Sequence, residues 1–276
     1  MGSKLLSLRE AVELVEDGDS ITISGITFSR NPMAFVAALI EAGRRDLYFI
    51  DREPGLALDI LVAAGTLRGI RAAMATLESY GLAPNVRRAV EKGSVEFLED
   101  TCGAVIAGLR AGSYGLPFMP VAGVLGSQLV ELHERAGTWR VVRDPFNGGE
   151  IVAVKAITPD VAVIHAHYCD EYGNCVIEGP RYEDELKIRA SRRVIMTAEE
   201  IVDSDRLRGL PFTLSSMSLH VDAVVHVPRG AWPTAMYGLY RADWNAIEEY
   251  AMFAREERAM EWVEARLKPR LPGWGW

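Results

Sequence analysis

Hydrophobic and polar positions along the chain alternate between two periods. A capping-box pattern, Ser7 with Glu10, opens an amphipathic stretch in which Leu8, Ala11, Val12 and Val15 share one face, predicting a helix over 7–16. Asp17-Gly18-Asp19 ends it. Ser20-Ile21-Thr22-Ile23-Ser24 then reads as a β-branched strand. After Gly25 and a loop, Pro32 stands where a helix begins, predicting helix over 33–42, and Gly43 stops it. The rhythm repeats: strand over 47–50, helix over 57–64, strand over 70–76, helix over 85–91, strand over 95–98, helix over 102–113, and an extended segment over 116–121. Strand and helix alternating at these lengths predict βαβ crossovers and an α/β fold, an open, mostly parallel sheet with helices on both faces.

Beyond Gly126 the texture changes. Asp144-Pro145-Phe146-Asn147-Gly148-Gly149 is a turn-rich loop before a strand over 151–154. Residues 160–167 are strongly strand-like, Asp170-Glu171-Tyr172-Gly173-Asn174 reads as a hairpin turn, and Cys175-Val176-Ile177 returns. A helix over 181–191, strands over 193–197 and 223–227, and one long helix over 244–267 capped by Asp243 complete the prediction. No linker or short repeat interrupts this pattern, so residues 1–276 are read as a single domain.

Composition narrows the function classes. A hydrophobic fraction of 49% with 25% charged residues is that of a globular protein. Asp and Glu (38) outnumber Lys and Arg (30), a formal charge of −8 that argues against nucleic acid and anionic membrane surfaces as partners. Three cysteines, Cys102, Cys169 and Cys175, are too few for a disulfide framework. With no apolar leader at the N-terminus and no apolar run near the roughly 20 residues that span a bilayer, a cytoplasmic location is expected.

Three segments carry candidate chemistry. Ser24-Gly25-Ile26-Thr27-Phe28-Ser29-Arg30-Asn31-Pro32 joins a strand to a helix at the carboxyl edge of a parallel sheet, where ligands bind in open α/β folds. It has neither G-x-G-x-x-G nor P-loop spacing. Ile50-Asp51-Arg52-Glu53-Pro54-Gly55 follows the next strand at the same edge. A carboxylate there suits a base or nucleophile, against the alternative of a solvated loop with Asp51 and Arg52 paired. His165, His167 and Cys169 share a strand face and are metal-ligand types, but an H-x-H pair is unspecific. Two hydrogen-bonded histidines near a cleft are expected instead, and no metal is assigned. There is no G-x-S-x-G elbow, and Cys102, at the head of a predicted helix after Glu99-Asp100, is read as structural.

The order of motifs resembles the family I coenzyme A transferases, specifically their A (α) subunits of the glutaconate CoA-transferase type. The resemblance runs over roughly 7–250. It is carried by Gly25 with Arg30-Asn31-Pro32-Met33-Ala34, by Gly112 with Gly115-Leu116-Pro117-Phe118-Met119-Pro120, and by Asp144-Pro145-Phe146 with Gly149-Glu150. Val161-Ala162-Val163-Ile164-His165-Ala166, Glu199-Glu200-Ile201, and Gly230-Ala231-Trp232-Pro233 with Tyr237-Gly238-Leu239-Tyr240 continue it. The resemblance implies a fold of the NagB/ribose-phosphate isomerase-like superfamily and a B-type partner in a hetero-oligomer. It also implies coenzyme A as substrate, with no permanently bound cofactor, and exchange of CoA between an acyl-CoA and a carboxylic or dicarboxylic acid.

In that family the reaction is ping-pong through a glutamyl-CoA thioester, and the nucleophilic glutamate belongs to the B-type partner. The A-type chain lends its glycine loop to the acyl pocket, which by resemblance assigns substrate binding to Ser24, Gly25, Ile26, Thr27 and Phe28. Arg30 is a candidate for pairing with an acid or a CoA phosphate, and Ser79, after the third strand, for facing the cleft. Glu53-Pro54-Gly55 departs from the family's A-type pattern. It occupies the pseudo-equivalent place of the E-x-G segment found in B-type chains, making Glu53 a candidate catalytic residue. Two other readings stay open. One is a thioester-hydrolysing, ring-opening A/B pair, in which an acidic residue stands where this chain has Cys102. The other is a non-catalytic chain that binds acyl-CoA or a partner.

Overall fold

The computed structural model describes residues 2–210 and 215–271. In chain order the elements are α1 (Leu8–Val12), β1 (Ser20–Ile23), α2 (Met33–Glu41), β2 (Leu47–Asp51), α3 (Gly55–Ala63), β3 (Leu67–Ala72), α4 (Pro84–Glu91), β4 (Glu96–Glu99), α5 (Cys102–Ser113) and β5 (Phe118–Val121). There follow α6 (Gln128–Arg135), β6 (Trp139–Arg143), β7 (Glu150–Lys155), β8 (Val161–Cys169), β9 (Cys175–Val176), α7 (Asp184–Ala190), β10 (Arg193–Ile201), α8 (Ser204–Arg208), β11 (Ala223–His226), α9 (Trp244–Arg255) and α10 (Ala259–Trp262). The capping box on α1 and the Asp243 cap on α9 form as predicted.

The main sheet has the order β11-β10-β8-β1-β2-β3-β4, all parallel, with β9 paired antiparallel to β8. From β1 the chain builds outward to β4 on one side, then returns to build β8, β10 and β11 on the other. The order therefore reverses between β1 and β8, a topological switch point. Strand alternation divides the core. Val161, Val163, Ile195 and Val225 enter the cluster under α2, α3, α4, α9 and α10, while Ala162, Ile164, Val194 and Met196 enter the cluster with Ile188 of α7. Coverage on both faces explains why these strands read as unbroken apolar runs.

Besides α6 and β6, to which the sequence reading assigned no element, two features differ from it. The extended 116–121 segment does not join the parallel series: β5 pairs antiparallel with β7, and β6 with β7, in a separate three-stranded sheet. The helix over 244–267 is broken. Glu257 takes a left-handed φ of 62°, and Arg258 bridges Glu256 and Glu261 across the turn. The break folds Trp262 back edge-on to Tyr250 and parallel to Trp232, burial that one straight helix would not give.

The small sheet is held by α5. Gly108 and Gly112, one turn apart, make room for Ile157: a Cβ on Gly112 would stand 2.2 Å from the Ile157 carbonyl oxygen. Helix propensity alone favours Ala over Gly by about 1 kcal/mol, so Gly112→Ala separates the two effects. It is expected to lose about 1–3 kcal/mol by overpacking. Gly103→Ala, where a Cβ meets nothing within 4 Å, should not lose stability in the same urea titration.

His133 of α6 stacks on Trp139 with centroids 4.0 Å apart, and its Nε2–H donates to the Glu99 carbonyl at 2.8 Å. Burial lowers its pKa, against the opposing pull of Asp100. A folded value below the unfolded one means that the unfolded chain binds the proton more readily. The stabilisation is then present above about pH 6.5 and fades as pH falls through the folded value. Urea midpoints should therefore drop below pH 6.5, and His133→Gln should flatten that slope. An unchanged slope would assign the acid loss elsewhere.

Candidate active site

The loop after β1 leaves the sheet at the switch point. Its two ends are stitched together and to β8 by Ser24, whose Oγ donates to the Arg30 carbonyl (2.8 Å) and accepts from His165 N–H (2.9 Å). Gly25 has φ 84°, and a Cβ there would lie 1.9 Å from Ser29 O, so glycine is required. Ile26 and Ser29 exchange two backbone bonds of 3.0 and 2.6 Å, closing a tight turn. Asn31, fully buried, donates from Nδ2 to Ser24 O. Phe28 packs edge-on to Tyr80 and Trp244.

The tip of this loop is fastened to the next one. Thr27 N–H donates to the Glu53 carbonyl at 3.0 Å, and Gly55 sits so close that a Cβ would be 2.4 Å from Thr27 Cα. The two segments singled out from the sequence thus form one wall. Ser24, Gly25, Thr27 and Phe28 are buried in it; Ile26 and Ser29 are half-buried. Thr27 Oγ1 is buried without a hydrogen-bond partner.

Helix α7 crosses beneath this wall and holds both loops. Lys187, fully buried, donates from Nζ to Ile23 O (2.6 Å) and to both oxygens of Asp51 (2.8 and 2.9 Å). Asp51 also accepts from Arg52 N–H at 2.7 Å and faces Ile23 N–H and Thr22 Oγ at 3.3 Å. One turn earlier, Asp184 pairs with Arg30, whose guanidinium also donates to the His165 and Pro180 carbonyls. Arg30 is 2% exposed. It is neither a ligand arginine open to an acid or CoA phosphate nor a surface salt bridge, but a buried brace whose donors are committed inside the protein.

Glu53 stands at the mouth, 18% exposed. Its Oε2 accepts from Arg52 at 3.2 Å, and its Oε1 lies 3.9 Å from Cys102 Sγ. The Nε of Arg52 is 2.7 Å from Glu183. Burial works against the Arg52 charge, but Glu183 and Glu53 outweigh it and hold the guanidinium more firmly protonated than usual. Cys102 is placed by the start of α5, where Thr101 caps Ala104 N–H and Asp100 accepts Thr101 N–H while pairing with Arg71. Ser79 is exposed in the short turn Glu78–Tyr80 and shares no hydrogen bond with Glu53.

The histidines of β8 are occupied inside the fold. His167 Nε2–H donates to Tyr237 O and its Nδ1 accepts Glu178 N–H, the neutral tautomer, in keeping with a pKa lowered by burial. His165 joins Thr197 and Glu199. Cys169, grouped with them from the sequence, is instead disulfide-bonded to Cys175 across the hairpin. The described residues hold no cluster of three metal-ligating side chains.

The structure brings together the two segments that sequence reasoning singled out, the glycine loop and the Glu53 loop, but that reasoning missed Lys187, Asp184 and Glu183, and it read Cys102 as structural. A signal existed for two of them: the helical phase that turns Ile188 inward also turns Asp184 and Lys187 inward. The clamp predicts that Lys187→Met costs about 3–5 kcal/mol, because Asp51 is left buried and unpaired. Lys187→Met with Asp51→Asn should recover part of the loss. A single variant as stable as the parent in urea would show that the pair does not hold the site.

The same chain pattern recurs in known proteins. Residues 5–226 match the coenzyme A transferase family. The chain is 35% identical over 268 residues to a protein of Archaeoglobus fulgidus, spanning 96% of this chain but 59% of that one. It is 32% identical to the A-type chain of 3-oxoadipate CoA-transferase from Pseudomonas knackmussii, over 96% of this chain and 94% of that one. It is 30% identical to the IpdA chain of the cholesterol ring-cleaving hydrolase of Mycobacterium tuberculosis, over 91% of this chain and 88% of that one. Among solved structures, the decarboxylase AibA/AibB superposes with a TM-score of 0.86 at 35% identity, covering 96% of this chain and 98% of that one. Glutaconate coenzyme A-transferase from Acidaminococcus fermentans superposes with a TM-score of 0.90 at 26% identity, covering 97% and 89%. With the family's pattern matched over residues 5–226 and a relative 32% identical along nearly its whole length, this protein belongs to the coenzyme A transferase family.

Proposed function

We propose that this chain is the A-type component of a heteromeric CoA-transferase that moves coenzyme A between an acyl-CoA and a carboxylic or dicarboxylic acid. A B-type partner completes the site. In this reading a glutamate carboxylate attacks the thioester carbonyl and expels CoA thiolate, leaving a mixed anhydride. The thiolate then attacks the glutamyl carbonyl, releasing the donor acid and leaving a glutamyl-CoA thioester. The acceptor carboxylate repeats the two steps in reverse. Coenzyme A enters as substrate, and no resident cofactor is invoked.

The observation that carries this reading is the wall made by Thr27 N–H bonded to Glu53 O at the switch point. It offers an acyl group a close backbone surface, with Ile26 and Ser29 half-exposed on it. The nucleophile is assigned to the partner because Glu53 is already engaged. Arg52 donates to one of its oxygens and Cys102 stands at the other, and a paired carboxylate gives up nucleophilicity to its partner. Glu53 then serves as a charged wall that orients Arg52.

One contact favours a second reading, thioester hydrolysis. Glu53 Oε1 and Cys102 Sγ, 3.9 Å apart at a partly exposed mouth, are placed to hold a water, and the hydrolase chain of Mycobacterium tuberculosis is 30% identical. Release of CoA in the absence of any acceptor acid would select it.

The test is borohydride trapping in the complex reconstituted from this chain and its B-type partner. Reduction of the glutamyl-CoA thioester marks the reacting glutamate, and peptide mapping locates it. The expected label lies in the partner. Glu53→Gln should keep that label and lose no more than about tenfold in turnover, the scale of one polar contact. A label on Glu53 would overturn the assignment.

A further inference from the structure

Away from Glu53, where the chain leaves β11, a cavity of about 240 Å³ is lined by Ala34, Pro228, Arg229, Trp232, Leu267 and Arg270. Its two arginines are held by aromatic faces. The Arg270 guanidinium lies 3.7 Å over the Trp232 ring. Trp232 is itself fixed, stacked on Trp262 and donating from Nε1 to Asp243 at 2.9 Å. Arg229 lies 4.8 Å over the Tyr240 ring, and its left-handed backbone is pinned by N–H donation to Glu199 at 2.6 Å. Among the described residues neither guanidinium has a carboxylate in an ion pair, whereas neighbouring Arg266 is paired with Glu249.

A guanidinium held over an aromatic face is attracted to the ring without spending its N–H groups on a carboxylate, which leaves those donors for a tetrahedral oxyanion. Two such groups on one cavity repel each other. Burial first, then Arg229 and Arg266, disfavour the charge on Arg270, and Asp243 offsets only part of this. A doubly charged anion between the arginines would reverse that cost.

We propose that Arg229 and Arg270 form a binding site for a phosphate-class dianion, seated in this cavity. The segment from Arg229 reaches the active-site wall directly, since Ala235 bonds to both Phe28 and Arg30. Phosphate on coenzyme A and free inorganic phosphate are both sources of that chemistry. The site does not depend on the transferase reading, because anion binding is measured apart from turnover.

The purified chain is titrated at low salt with inorganic phosphate, coenzyme A and dephospho-coenzyme A by calorimetry. Phosphate is expected to bind, and Arg229→Gln to weaken it at least about tenfold, the scale of a charge-assisted contact. Arg270→Lys, which keeps the charge but loses the fork, should weaken it less than Arg270→Gln. Arg208→Gln, at an exposed arginine on α8, should leave it unchanged. Circular dichroism and melting confirm that each variant is folded. A preference for coenzyme A over the dephospho form that vanishes in Arg229→Gln assigns the phosphate to coenzyme A. Phosphate bound with no such preference assigns it to the free anion. No binding up to tens of millimolar phosphate, or equal binding by the folded variants, overturns the site.

Discussion

The architecture of the site depends on two buried ion pairs offered by one face of α7. Asp184 holds Arg30 and Lys187 holds Asp51. Through them a single helix fixes the loops leaving β1 and β2. Burying four charges is costly, and Coulomb attraction alone rarely repays the lost hydration. Additional hydrogen bonds offset much of the rest: Lys187 has three acceptors, and Asp51 takes Arg52 N–H besides the ammonium. An apolar cluster of equal volume would fill the space without direction. The ion pairs are directional, and the switch point needs direction because two loops must meet there at bond distance.

That rigidity lets the loop carry an unfavourable backbone. Gly25, Thr27 and Arg30 all have positive φ within six residues, and Gly55 does so across the contact. Non-glycine residues in this region cost of order 1–3 kcal/mol each and persist only where the surroundings over-determine them. Here the determinants are visible: Ser24 and Asn31 bond across the base of the loop, Arg30 is locked at its far end, and Thr27 is held by Glu53 O. What emerges is a stiff backbone surface at the edge of the sheet, preorganised before any ligand arrives.

Much of the fold was legible because its signals are local. Ser20-Ile21-Thr22-Ile23 alternates, Ser7 and Glu10 form a capping box, and α5 begins at Cys102 where the pattern begins. The losses are non-local. Nothing within 116–121 says that its partner strand is antiparallel and lies beyond another helix and strand, and the sequence reading assigned no element to α6 and β6, although Leu129, Val130, Trp139 and Val141 share one apolar cluster. The break in the last helix is a tertiary choice made by Trp262. For the candidate site, position at the sheet edge was enough to single out the Gly25 and Glu53 loops, which the structure joins. The role of Arg30 was not legible, because an arginine beside a glycine loop looks the same whether it faces solvent or, as here, is 2% exposed against Asp184.

The charge balance of the site then constrains what must complete it. At physiological salt, fields from distant surface charges are screened within about 8 Å, so the net charge of −8 matters less than what stands at the mouth. There Arg52 lies between Glu53 and Glu183, one cation against two carboxylates. Arg30 and Lys187 are buried and spent. Arg52, Arg30 and Lys187 are therefore all paired within the chain, and none of the three is left for a substrate carboxylate or an oxyanion. In the proposed reading this wall supplies shape and a negative edge, and the B-type partner supplies the counter-charge that the exchange of carboxylates requires.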